Sequence, residues 1–182
     1  MRFSVMTLNL HALQGPDLLG TLDRIARYVA EENTTSLCLQ ECAQRRDSET
    51  VEADEPIKAD NAGHLLRDRL EAFGLKYSLV WAVSHHVGSR YEEGSAILTQ
   101  LPILGSCSRY ISTTTDAASS DARNVVMARL AVAPNAVIDL YSTKPYDREA
   151  VLRSIRKTGA LVVAENHQAR NAIGLAPQEF NV

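Results

Sequence analysis

The stretch RFSVMTLNL (2–10) is apolar on both alternating faces, with Phe3 and Val5 on one and Met6, Leu8 and Leu10 on the other. Successive strand residues point to opposite sides of a sheet, so a strand with two apolar faces has to be covered on both. That requirement sets the architecture: a central strand inside a layered chain. The next segment, PDLLGTLDRIARYVAEEN (16–33), supplies a cover. Its Leu18, Leu22, Ile25, Ala26 and Val29 share one helical stripe, and Pro16 suits a first helical turn. SLCLQECA (36–43) then reads as a second, short buried strand.

Further along, QRRDSETVEADEPIKAD (44–60) is polar and aperiodic and is expected to be a surface loop. DNAGHLLRDRLEAFG (60–74) predicts a helix with Ala62, Leu66, Leu70 and Phe73 on its apolar side and Gly74 as its stop. KYSLVWAV (76–83) and GSAILTQLPI (94–103) read as strands flanking the loop SHHVGSRYEE, which would place His85 and His86 on the surface. Pro102 should end the second strand or keep it at an edge. TTTDAASSDA (113–122) is a small-residue loop. RNVVMARLAV (123–132) and AVIDLYST (136–143) form strands joined by an APN turn. A helix over 147–159, capped by Asp147, and a strand over 160–166 complete the reading. The order is β-α-β-α, several strands, then β-α-β. It describes an α/β (α+β) fold, a layered, sandwich-like sheet with helices on at least one face.

Composition narrows the options. At 182 residues, 45% of them hydrophobic, the chain can bury one sizeable core. A net charge of −3 offers no long-range attraction to polyanions, so any phosphate contact must come from a local pocket. No apolar run is long enough to span a bilayer and no leader pattern is present, so a cytoplasmic protein without membrane contact is expected. Three cysteines form no regular framework. Cys38 and Cys42 lack a second pair at metal-ligand spacing and read as buried thiols.

Three segments in order carry a family likeness. MTLNLH (6–11), SLCLQECA (36–43) and YEEGSAILTQLPI (91–103) resemble the strands of the endonuclease/exonuclease/phosphatase superfamily that end in an asparagine, in a Gln-Glu pair, and in Glu-Gly-x-Ala-Ile-Leu. YISTTTDAASSDARNVVMARLAV is similar to the segment that follows, so the likeness covers about residues 2–132. It implies a four-layer phosphoester hydrolase fold using Mg²⁺ or Mn²⁺, with Glu41 as metal ligand and Asn9 beside it. It also implies that Glu93 orients a histidine and that Arg123 reaches a phosphate ester substrate.

The residue types suit that chemistry. A hard divalent ion takes oxygen ligands and keeps several waters, so a carboxylate plus an amide at adjacent strand ends makes half a site. The planar fork of an arginine suits phosphate. Blander readings stand beside these: Glu41 as a solvated rim residue, Arg123 in a surface salt bridge, His85 and His86 as ordinary surface histidines.

The chain also departs from the family pattern. Tyr-Ser-Thr is followed by Lys144 where the family has histidine, and neither Gly-Asp-Phe-Asn nor Ser-Asp-His occurs. Lys144 could contact phosphate as a cation but is no ordinary general base. Glu165 and His167 stand near where the family has an acidic residue and a histidine. From about residue 136, AVIDLYSTKPYDREAVLRSIRKTGALVVAENH resembles instead the C-terminal domain of transketolase-type enzymes. In those enzymes that domain does not hold the thiamine, so no thiamine diphosphate is expected here. Two regions follow: 1–132, phosphodiesterase-like and incomplete relative to the four-layer fold, and 133–182, a βαβ unit packed on the same core. The expected function is a metal-dependent phosphoester hydrolase with diminished activity. The alternative is an inactive fold serving as a binding or self-association module, because missing strands leave sheet surface for another copy or partner.

Overall fold

The computed structural model describes residues 3–51, 56–142 and 156. Lys144, Glu165, His167 and, apart from residue 156, the elements expected over 147–166 lie outside the described residues.

Nine elements follow in order: β1 (Val5–Asn9), α1 (Leu18–Glu32), β2 (Ser36–Arg45), α2 (Ala62–Ala72), β3 (Ser78–Val87), β4 (Tyr91–Thr99), β5 (Ile103–Tyr110), β6 (Asn124–Ala133) and β7 (Ala136–Ser142). They build a four-stranded sheet in the order β1-β2-β4-β3 and a three-stranded sheet in the order β5-β6-β7. Only β1 and β2 are parallel, as a strand–helix–strand crossover through α1 requires; the other described pairs are antiparallel.

Period-two alternation divides the first sheet between two cores. Met6, Leu8, Leu37, Leu39, Ala96, Leu98, Leu79 and Trp81 pack with Leu22, Ala26 and Val29 of α1 and Leu66 and Leu70 of α2. The intervening Phe3, Val5, Cys38, Val80 and Ile97 pack with Val126, Ala128 and Leu130 of β6 and Ile138 and Leu140 of β7. The described layers are therefore helices, sheet, sheet. β1 packs on both faces as expected, but among the described residues it stands at the edge of its sheet rather than in the centre, and its residues are only half-buried. β7 pairs with β6 across the APN turn and shares its core, so residues on both sides of position 132 belong to one sheet.

Several local expectations change. α1 begins after Asp17, whose carboxylate accepts from the Gly20 N–H at 2.9 Å; an N-cap carboxylate outcompetes Pro16 for the start. The polar segment after residue 43 is partly internal. β2 continues to Arg45, Gln44 is buried and so is Ile57. The Gln44 amide donates to Pro56 O and Glu92 Oε1 and accepts from Lys58 N and Asn61 Nδ2, satisfying groups that periodicity cannot register. Phe73 is exposed because it caps α2 rather than belonging to its stripe. β3 and β4 extend into the expected loop and close on a turn at Gly88 (φ +60°). Pro102 ends β4. The strand after it, β5, has mostly exposed residues and no apolar alternation to announce it.

Candidate active site

Two irregularities in the first sheet build the site. On β2, the three steps from Leu39 to Cys42 face only two on β4, from Ala96 to Gly94. This is a β-bulge, and the extra residue turns side chains away from strict alternation. Glu41 lies within it at φ +50°. On β3, the two steps from Val83 to His85 face one on β4, from Gly94 to Glu93. Both neighbours of β4 thus bulge around Gly94 and Glu93.

The β2 bulge aims Glu41 at the end of β1. Asn9 Nδ2 donates to Glu41 Oε1 at 2.6 Å, and Asn9 Oδ1 accepts the His11 backbone N–H at 3.1 Å. His11 Nδ1 stands 2.8 Å from Glu41 Oε2. The Glu41 side chain keeps 20% of its exposure and His11 keeps 57%, so the carboxylate lies in a shallow recess with the imidazole at its mouth.

The β3 bulge brings His85 opposite Glu93, with Nε2 and Oε1 3.7 Å apart and both side chains mostly buried. His85 stands on a strand rather than in a surface loop. Its pKa is lowered, first by burial and then by the positive charge of Arg123, while Glu41 acts in the opposite direction and His86 adds slightly to the lowering. Those electrostatic couplings tie His85, Arg123 and Glu41 into one neighbourhood. His85 Nδ1 and Asn124 Oδ1 are buried without a hydrogen-bond partner among the described residues. The Arg123 guanidinium donates to Ser120 O and Ala122 O at 2.6 and 2.8 Å, and its backbone N–H donates to Ser112 Oγ, which fastens it to its own loop. The His86 N–H holds that loop against β3 through Ala117 O at 2.7 Å.

Of the residues singled out in the sequence, Asn9 and Glu41 are in direct contact, Glu93 sits against His85, and Arg123 lies within electrostatic reach of His85. Sequence reasoning misses His11: it is part of MTLNLH, but no spacing rule points to a histidine folded back on a carboxylate inside a strand bulge. Among the described residues no three His, Cys, Asp or Glu side chains converge as a metal cluster. The donor set offers one carboxylate held by neighbours. It fits a hydrated divalent ion that keeps most of its water, and does not make a full protein cage.

Two stacked sheets with helices on the outer face of one define a layered α/β sandwich, with Glu41 set in the bulge of its β2. Comparison with solved structures gives it a name. The chain is similar to an endonuclease/exonuclease/phosphatase family protein from Leptotrichia buccalis, with a TM-score of 0.74 and 22% identity over 86% of this chain and 60% of the other. It is also similar to an endonuclease/exonuclease/phosphatase from Beutenbergia cavernae (TM-score 0.55, 15% identity, 85% of this chain and 41% of the other). A humanized D. rerio TDP2 gives a TM-score of 0.51 at 16% identity, covering 85% of this chain and 56% of the other. The chain has the endonuclease/exonuclease/phosphatase fold and spans between 41% and 60% of the length of these structures.

No family model matches the sequence. A 43-residue stretch is 49% identical to the 6-deoxy-6-sulfo-D-fructose transketolase subunit SqwH of Clostridium sp. (strain MSTE9), covering 24% of this chain and 13% of that protein. A short stretch similar to a transketolase subunit therefore accompanies the endonuclease/exonuclease/phosphatase fold. Among the described residues no helix is long and apolar enough to cross a membrane.

Proposed function

We propose that the chain is a divalent-metal-dependent phosphoester hydrolase, built from an endonuclease/exonuclease/phosphatase-like region (1–132) and an appended transketolase-like segment (133–182). The observation that carries this reading is the 2.6 Å contact between Asn9, at the end of β1, and Glu41, in the bulge of the adjacent parallel strand β2. Glu41 is the residue to hold Mg²⁺ or Mn²⁺, with Asn9 alongside. When bound, such an ion supplies stabilisation of negative charge on the phosphoryl oxygens. Asn9 fixes the carboxylate rotamer, so the ligand need not reorganise. Glu93 restrains the His85 ring, and burial keeps that ring neutral, the form able to accept a proton. Arg123 and Lys144 are the cations for the phosphate of the substrate ester. Hydrolysis of bis-p-nitrophenyl phosphate with Mg²⁺ or Mn²⁺ tests the reading. Wild type should exceed Glu41→Ala by roughly a hundredfold, on the scale of losing an electrostatic stabiliser; equal background rates would refute it.

A second reading, self-association of a catalytically silent fold, is favoured by the exposure of Leu104 on β5 and Val137 on β7. Ile138 packs between the sheets, so Val137 stands on the outer face, and Leu104 is turned to solvent at the irregularity between Ile103 and Gly105. Light scattering decides it: a stable monomer across concentration removes the reading.

A further inference from the structure

Among the described residues three that are not glycine adopt a left-handed backbone: His11 (φ +47°), Asn33 (φ +49°) and Glu41 (φ +50°). Asn33 has a local reason, since it caps α1 and its N–H returns to Ala30 O and Val29 O. Glu41 is a residue type that seldom enters this region, His11 is one that enters it more readily, and the two touch each other. Backbone strain concentrated on two contacting polar residues marks a place where geometry is held for use.

We infer that His11 is a second protein ligand beside Glu41, biasing the cation site toward a borderline ion such as Co²⁺ or Zn²⁺ over Mg²⁺. The inference rests on the proposal that Glu41 holds a cation. His11 Nδ1 and Glu41 Oε2 are 2.8 Å apart. Two neighbouring ligands on an octahedral ion, each about 2.1 Å from it, are about 3.0 Å apart, so an ion can take both atoms at nearly their present separation, sitting to one side of the N···O line once the exposed imidazole turns its Nδ1 lone pair toward it. Imidazole nitrogen suits the later first-row ions, whereas Mg²⁺ prefers oxygen. The main chain that carries the ring is also held in place. The His11 N–H is held by Asn9 Oδ1, its carbonyl accepts from Gln14 N at 2.9 Å and Gly15 N at 3.2 Å, and the Ala12 N–H returns to Glu41 O. Asn9 thereby orients both partners, one through each end of its amide. The 57% exposure of His11 leaves an entry path and room for coordinated water.

Equilibrium titration of the full chain with Co²⁺, read by its visible absorption, and with Mg²⁺, read by calorimetry, tests this. The proteins compared are wild type, His11→Gly, His11→Asn and Glu41→Gln. Glycine and asparagine both accept the left-handed backbone, so folding is preserved while the imidazole is lost. Both His11 variants should bind Co²⁺ about tenfold or more weakly, with Mg²⁺ affinity changed less than about threefold. Unchanged Co²⁺ affinity in both His11 variants, with binding lost in Glu41→Gln, overturns the His11 assignment and reduces its contact to a hydrogen bond. Binding that persists unchanged in Glu41→Gln overturns the cation site itself.

Discussion

Asn9 and Glu41, 32 positions apart, meet at 2.6 Å only because β2 bulges after Leu39 and its parallel neighbour β1 stops opposite Gln40. A hydrogen bond to a carboxylate is worth about 1.5–3 kcal/mol when well buried; partial exposure of Glu41 brings the expectation to about 1 kcal/mol. Asn9→Ala should therefore lower the urea midpoint modestly. Its effect on metal-dependent hydrolysis should be larger, about tenfold or more, because the ligand then loses its fixed rotamer. Comparing the two losses separates positioning from folding: a rate loss no greater than the unfolded fraction explains would refute the positioning role.

Gly94 should resist replacement. It pairs with Cys42 on one side and Val83 on the other, where both neighbouring strands bulge. A Cβ there would collide with the Ala82 carbonyl and come within 3.1 Å of Trp81 Cε2. The obstacle is backbone in a central sheet and cannot swing aside. Gly94→Ala is expected to cost about 1–3 kcal/mol, as overpacking does, and to disturb Glu93 and Glu41 together. Denaturant unfolding followed through Trp81, which is 2% exposed, reports it; an unchanged midpoint would contradict the steric account.

The three cysteines should differ sharply in reactivity. Burial pushes the thiols of Cys38 and Cys42 up to about 12, so almost no thiolate exists near neutral pH. Cys107 on β5 is exposed. A disulfide reagent near pH 8 should titrate one thiol in the native protein and three after denaturation; rapid reaction of more than one native thiol would show that one of the two cores opens, the inter-sheet core for Cys38 or the helix-side core for Cys42.

The fold was legible where burial is regular. β1, β2, β6 and β7 were marked by alternation or two-faced apolar runs, and α1 and α2 by helical stripes that do pack on the sheet. The site was legible only as residue types: Asn9, Glu41 and Glu93 could be picked out, but a bulge adds one residue to a register and leaves no periodic trace. That is why His85 was read into a loop although β3 carries it past the bulge to Val87. His11 was invisible for a related reason, since its role depends on a left-handed turn that nothing in its side chain advertises. β5 escaped because an outer strand with solvent on most positions needs no apolar pattern.

His85 gives the pH dependence. Its folded pKa lies below the ordinary 6.5, chiefly through burial and then through Arg123, with Glu41 pulling weakly the other way. Between that lowered value and 6.5 the unfolded chain binds a proton that the folded chain does not. Stability must therefore rise with pH through this window and fall as the medium is acidified below 6.5. His85→Gln removes the titration while keeping a polar group near Glu93. Urea midpoints measured from about pH 5 to about pH 7.5, the range in which a histidine changes charge, should climb more steeply for wild type than for the variant. The sign is the test. A wild type that gained stability over the variant on acidification would mean the His85–Glu93 ion pair outweighs burial, and His85 could not then be the neutral base that the proposed hydrolysis needs.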